Sequence, residues 1–199
     1  GRVIYDATAC PQDIAYPTDL NLLSDAREKL EELIDHIYAK DLHEVKPRTY
    51  REIARKRYLQ TAQKKSKSRK VIRKANRCQL NYVRRDIAIV NELLEAYQVN
   101  NLKFPLNPSQ QKYLFVVQTL YDQQKQMYDT NTHSVDHRIV SIHQPHVRPI
   151  VRGKAQAKVE FGSKIHVSII NGISFLDELS WDAFNEGSHM LYYIKKKKK

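Results

Sequence analysis

From Leu20 to Met127 the apolar residues of this chain recur at three- and four-residue steps, whereas on either side they alternate with polar residues or gather in short β-branched runs. This double change of period constrains the fold more than any other feature, because a helical block must be accommodated between two pieces of sheet. The predicted fold class is α/β, or α+β on strict counting. Residues 1–18 form a first strand and loop, 19–133 a basic all-helical insertion, 134–194 an extended segment and β-hairpin, and 195–199 a lysine tail. A length of 199 residues suffices for one domain with its own core plus such an insertion.

Within the block, Thr18 is placed to cap a helix from Asp19 to Ala39, whose apolar stripe is Leu20, Leu23, Ala26, Leu30, Leu33, Ile34 and Ile37. Thr49-Tyr50-Arg51-Glu52 has the pattern of a capping box and predicts a second helix. Leu80, Val83, Ile87, Val90, Leu94 and Tyr97 form a short packing seam. Asn107 or Ser109 caps the last helix, on which Tyr113, Val117, Leu120, Gln124 and Met127 share a face. The flanks differ in texture. Val3-Ile4-Tyr5 favours a strand that gives way at Asp6 to a turn over Thr8–Pro11 and a loop from Cys10 to Pro17. Arg138–Ile142 and Pro145–Arg152 read as extended, Val159–Ile169 alternates, Asn171-Gly172 signals a tight hairpin, and Ile173–Leu179 returns.

Charge narrows the partners. Lys plus Arg number 34 against 22 Asp plus Glu, a net charge of +12, and the excess is concentrated between Arg51 and Arg85, where Glu52 is the one acid. Arg55, Lys56, Arg57, Lys64, Lys65, Arg69, Lys70 and Arg73 are therefore candidate DNA-phosphate contacts, since clustered cations release counterions from a nucleic-acid backbone. A solvated helix face gives the same pattern. Arg148, Arg152, Lys154, Lys158 and Lys164 form a second candidate series, or else charges that protect a strand edge. No apolar run approaches a membrane span and no targeting segment opens the chain, so a soluble cytoplasmic protein without membrane contact is expected. Cys10 and Cys78 read as free thiols, and His133, His137, His143 and His146 lie in a stretch that offers no ordered scaffold for zinc.

Asp6, a carboxylate on an apolar strand, needs a local hydrogen bond or a cation. Val3–Thr8 with Asp13–Leu20 resembles the start of the catalytic domain of bacterial insertion-sequence transposases. Arg138–Lys154, Val159–Ile165 and Leu179–Glu186 are similar to later blocks of the same family, in the same order. The resemblance implies an RNase H-like sheet whose first and second strands are separated by the helical insertion. It also implies a DDE site in which two Asp and one Glu hold two Mg²⁺ ions for phosphoryl transfer on transposon-end DNA. Asp6 matches the first catalytic, metal-binding Asp. Glu160, Asp177, Asp182 and Glu186 match none of the others, so the expectation is a truncated transposase with an incomplete site, associated with the bacterial nucleoid and able to mix with intact subunits. The initial Gly and the Lys195–Lys199 tail fit a chain cut at both ends, the tail being what an adenine run encodes after a frame slip. A non-catalytic DNA-binding fragment is the alternative. A third reading is a helical interaction protein in which Asp6 only caps a turn.

Overall fold

Asn171 and Gly172 both take positive φ, 51° and 85°, the left-handed pair that a two-residue hairpin turn demands. The hairpin they close is the centre of the sheet. In a computed structural model, residues 3–151 and 159–182 are described. The strands are β1 (Val3–Pro11), β2 (Arg148–Val151), β3 (Val159–Ile170) and β4 (Ile173–Ser180), and every pairing is antiparallel. β1 lies along β3 from Val3 opposite Ile170 to Pro11 opposite Gly162. β4 takes the other edge of β3, from Ile173 opposite Ile170 to Ser180 opposite Lys164, with a bulge at His166/Val167. β2 continues that second edge, because Gly162 faces Pro11 on one side and Arg148 on the other.

The predicted turn over Thr8–Pro11 and loop from Cys10 are corrected by this register: β1 runs on through Cys10 and ends at Pro11. β3 is long enough to offer partners that far, and a proline is tolerated on a strand that, like β1 among the described residues, pairs on one side only. Asp6 is therefore a mid-strand residue and not a strand-end cap. Close approach of the strands fixes Gly162. A Cβ there would lie 2.1 Å from the Cys10 carbonyl oxygen and 2.9 Å from Pro11 Cα, both backbone atoms that cannot swing aside. Gly162→Ala is expected to cost about 2 kcal/mol and to fray the end of β1. Hydrogen exchange at the Gln12 amide, which donates to the Phe161 carbonyl at 2.8 Å, should report it. Unchanged protection there would contradict the close packing.

Two units divide the chain, residues 1–15 with 146–199 and residues 16–145. The second holds the described helices: α1 (Asp19–Ile37), α2 (Arg51–Ala62), α3 (Arg69–Val99) and α4 (Pro108–Thr130). Thr18 caps α1 as expected, and all seven residues of its predicted stripe are buried. The six from Leu23 onward pack against Leu80, Val83 and Val90 of α3 and Val117 and Leu120 of α4 in one core. Ile139 and Ile142 join that core, so the helical unit extends to Pro145 and the boundary expected at residue 133 moves. Asn107 caps α4 in a full capping box with Gln110.

The box expected at Thr49 and Glu52 does not form. Tyr50 is the N-cap of α2, in the left-handed conformation with φ 53° and no side-chain cap. Arg85 of α3 explains the departure: its guanidinium donates to the Thr49 carbonyl and lies 4.8 Å from the Tyr50 ring centre. Thr49 Oγ1 is taken by Arg51 Nε at 3.2 Å. A tertiary contact overrides a local signal. Among the described residues the fold is α+β, a four-stranded antiparallel sheet and four helices.

Candidate nucleic-acid interface

α2 is the least buried of the helices, with only Ala54 and Thr61 enclosed. It is fastened to α3 by Gln79 Nε2, which donates to the Ala54 carbonyl at 3.1 Å. Much of the outward surface of this helical hairpin is charged, with Ile53, Leu59 and Ile72 also exposed. Arg55, Lys56 and Arg57 are exposed on α2, Lys64 and Lys65 on the connecting loop, and Arg69, Lys70 and Arg73 on the first turns of α3. Lys67, on the same loop and equally exposed, belongs with them, and its place in the same basic run was signal enough to include it.

Arg69 and Lys70 occupy the N-terminal turn of α3, which contains no acid and is capped by Ser68, whose hydroxyl accepts from the Val71 amide at 3.4 Å. Cations at the positive end of a helix dipole are unfavourable by themselves, and an anion bound there reverses the sign of the interaction. Other cations of the run are engaged inside the protein. Arg73 donates to the Tyr128 carbonyl at 3.0 Å and Asn131 Oδ1 at 3.1 Å, and stacks 4.1 Å from the Tyr128 ring centre, fastening α3 to the end of α4. Arg57 donates to the Tyr82 hydroxyl at 3.0 Å. Arg51 pairs with Asp35 at 2.7 Å, and that hydrogen bond holds the Asp35 carboxyl below the usual carboxylate range. Arg73, Arg57 and Arg51 are thus held by the protein, whereas Arg55, Lys56, Lys64, Lys65, Lys67, Arg69 and Lys70 stay exposed.

The sheet unit places its candidates differently. Asp6 is exposed in mid-β1, opposite Val167. By the alternation of strand side chains it shares a face with Ile4, Thr8, Ile165 and Ile169, and with Leu176 and Leu179 of β4. That face is apolar and open: Ile4 is 44% exposed, Leu176 62% and Leu179 52%. Lys164, opposite Ala9, and Arg148, opposite Gly162, fall on the other face. Arg152, Lys154 and Lys158 lie outside the described residues. His166 and Asp177, 3.5 Å apart and almost fully buried, occupy the face away from Asp6.

No family model, curated protein or solved structure matches the chain. Among the described residues no three His, Cys, Asp or Glu side chains converge as a metal site requires. One exposed carboxylate among apolar neighbours does not fit a two-Mg²⁺ centre, which needs several oxygen ligands around each ion. Within the helical unit Tyr113 Oη and His143 Nδ1 are hydrogen-bonded at 3.0 Å, and within the sheet unit His146 lies edge-on to Trp181, 4.4 Å between ring centres. None of the described helices is long and apolar enough to cross a membrane.

Proposed function

We propose that this chain binds DNA through the phosphate backbone, using the α2–α3 hairpin, as part of a DDE-type transposase. The observation that carries the reading is the exposed cluster Lys64, Lys65, Lys67, Arg69 and Lys70, gathered where the dipole of α3 already favours an anion. Each cation that meets a phosphate releases condensed counterions, so the contact supplies affinity with little dependence on sequence. Support for the transposase assignment is the resemblance together with the strand order. A first strand lying antiparallel beside the first strand of a hairpin, with the helical unit between them in sequence, is what the first three strands of an RNase H-like sheet require. Asp6 then stands as one carboxylate of a DDE set, and transposon-end DNA is the natural ligand, bound in the bacterial nucleoid.

Fluorescence anisotropy with two duplexes of unrelated sequence tests the DNA contact. Both should bind at low salt with dissociation constants within about threefold of each other, as backbone recognition implies. A chain that leaves both duplexes free under those conditions would refute the proposal.

A further inference from the structure

A cavity of about 690 Å³ opens within the helical unit, between α1, the first turns of α3 and the end of α4. Its size is that of a small-molecule site. Leu23, Leu80 and Met127, all buried, give it an apolar floor. Arg69 and Lys70 stand at its rim. Asp19, the acid in its lining, is already paired with Arg138 at 2.8 Å and does not oppose an anion.

Two further lining residues are amides with unmet hydrogen-bonding capacity. Gln124 is only 3% exposed, and its Nε2 donor has no partner; the Oδ1 acceptor of Asn76 is likewise buried and unpaired. Unpaired buried polar atoms are destabilising and uncommon, and a ligand that supplies partners removes the penalty. The terminal torsion of an amide side chain is soft, so both groups can turn toward an incoming edge.

We propose that this cavity binds a nucleotide, with its base against the apolar floor, the base edge on the amides of Asn76 and Gln124, and its phosphate on Arg69 and Lys70. Amide side chains present a donor and an acceptor together, the pairing that adenine matches through its amino group and ring nitrogen, so an adenine nucleotide is the first choice. Inorganic phosphate would satisfy the rim and leave floor and amides unused. A fatty anion would fill rim and floor and leave the amides unpaired. The ligand is either a free nucleotide or the terminal nucleotide of a strand. The site shares Arg69 and Lys70 with the face proposed for the DNA backbone, and Gln124→Leu, which leaves every cation of that face in place, separates the two.

Calorimetry on the full chain with AMP, adenosine and inorganic phosphate tests the site. AMP is expected to saturate one site, with adenosine and phosphate each weaker by about tenfold or more. Gln124→Leu and Arg69→Ala should each weaken AMP about tenfold. Arg69 is exposed, so its variant carries the test if Gln124→Leu fails to fold. An oligonucleotide ending in 5′-phosphoadenosine that displaces AMP identifies a strand end as the source, and one that does not identifies the free nucleotide; either outcome supports the cavity. Absence of saturable AMP binding, phosphate binding as tightly as AMP, or variants that bind AMP like the parent chain would overturn it. Loss of AMP binding with duplex binding intact would leave the proposed function standing.

Discussion

Replacing Lys64, Lys65 and Lys67 together with Glu is expected to weaken duplex binding about a hundredfold at moderate salt, because each phosphate contact removed forgoes its counterion release. All three are exposed on the loop between α2 and α3 and make no contact that holds the helices together, so stability should change little. Net charge alone predicts a different pattern. Lys40, Lys103 and Lys112 are also exposed, in the same unit but outside the basic run. Their reversal alters total charge equally, yet is expected to weaken binding by only about threefold, since longer-range interactions are screened. Equal losses in the two triple variants would mean that DNA responds to overall charge and that the hairpin has no special role.

Asp86→Asn is expected to raise stability at pH 7.5 by about 1–3 kcal/mol and to remove a pH dependence below that. Asp86 is fully buried on α3, with Oδ1 accepting from Arg85 at 3.1 Å and Oδ2 without a partner. Burial pushes its carboxyl up from 3.8 to about 6, against the opposing hydrogen bond from Arg85. A raised folded-state value means that the folded protein binds the proton more tightly than the unfolded chain does. The resulting stability is therefore present below about pH 4 and is lost as pH rises through about 6. Above that range the charge remains buried at a cost of up to about 3 kcal/mol. Asparagine keeps an oxygen for Arg85 and carries no charge. Denaturant unfolding of both proteins at several pH values isolates the effect, since the raised Glu31 and Asp25 contribute to both. An Asp86→Asn variant less stable than its parent at pH 7.5 would show that the ion pair with Arg85 outweighs desolvation.

Much of the fold was legible because its signals are local. The stripe of α1, its Thr18 cap, the Asn107 cap of α4 and the Asn171-Gly172 turn each depend on residues within a few positions of one another. Misreadings arose where distant residues decide. Periodicity put Tyr113 on the buried face of α4, but Leu114 is the buried residue there, because the Tyr113 ring is half-exposed and its hydroxyl reaches out to His143. The Thr49 box lost to Arg85, 36 positions away. β1 outran its predicted end because its length is set by β3, on the far side of the helical unit in sequence.

The candidate interface divides in the same way. That the cations cluster was legible, since they are consecutive in the chain. Which of them stay available was not, because the partners of Arg73, on α4, become neighbours only through packing of the helical unit. Asp6 was singled out by its residue type, but the apolar surroundings of its carboxylate come from β3 and β4, residues more than 150 positions later.

The most direct measurement is the dissociation constant of a random-sequence duplex between about 50 and 300 mM KCl. Five exposed cations at Lys64, Lys65, Lys67, Arg69 and Lys70 predict a straight line of log affinity against log salt with a slope of roughly −4 to −5. A slope near zero would contradict phosphate recognition by the α2–α3 hairpin.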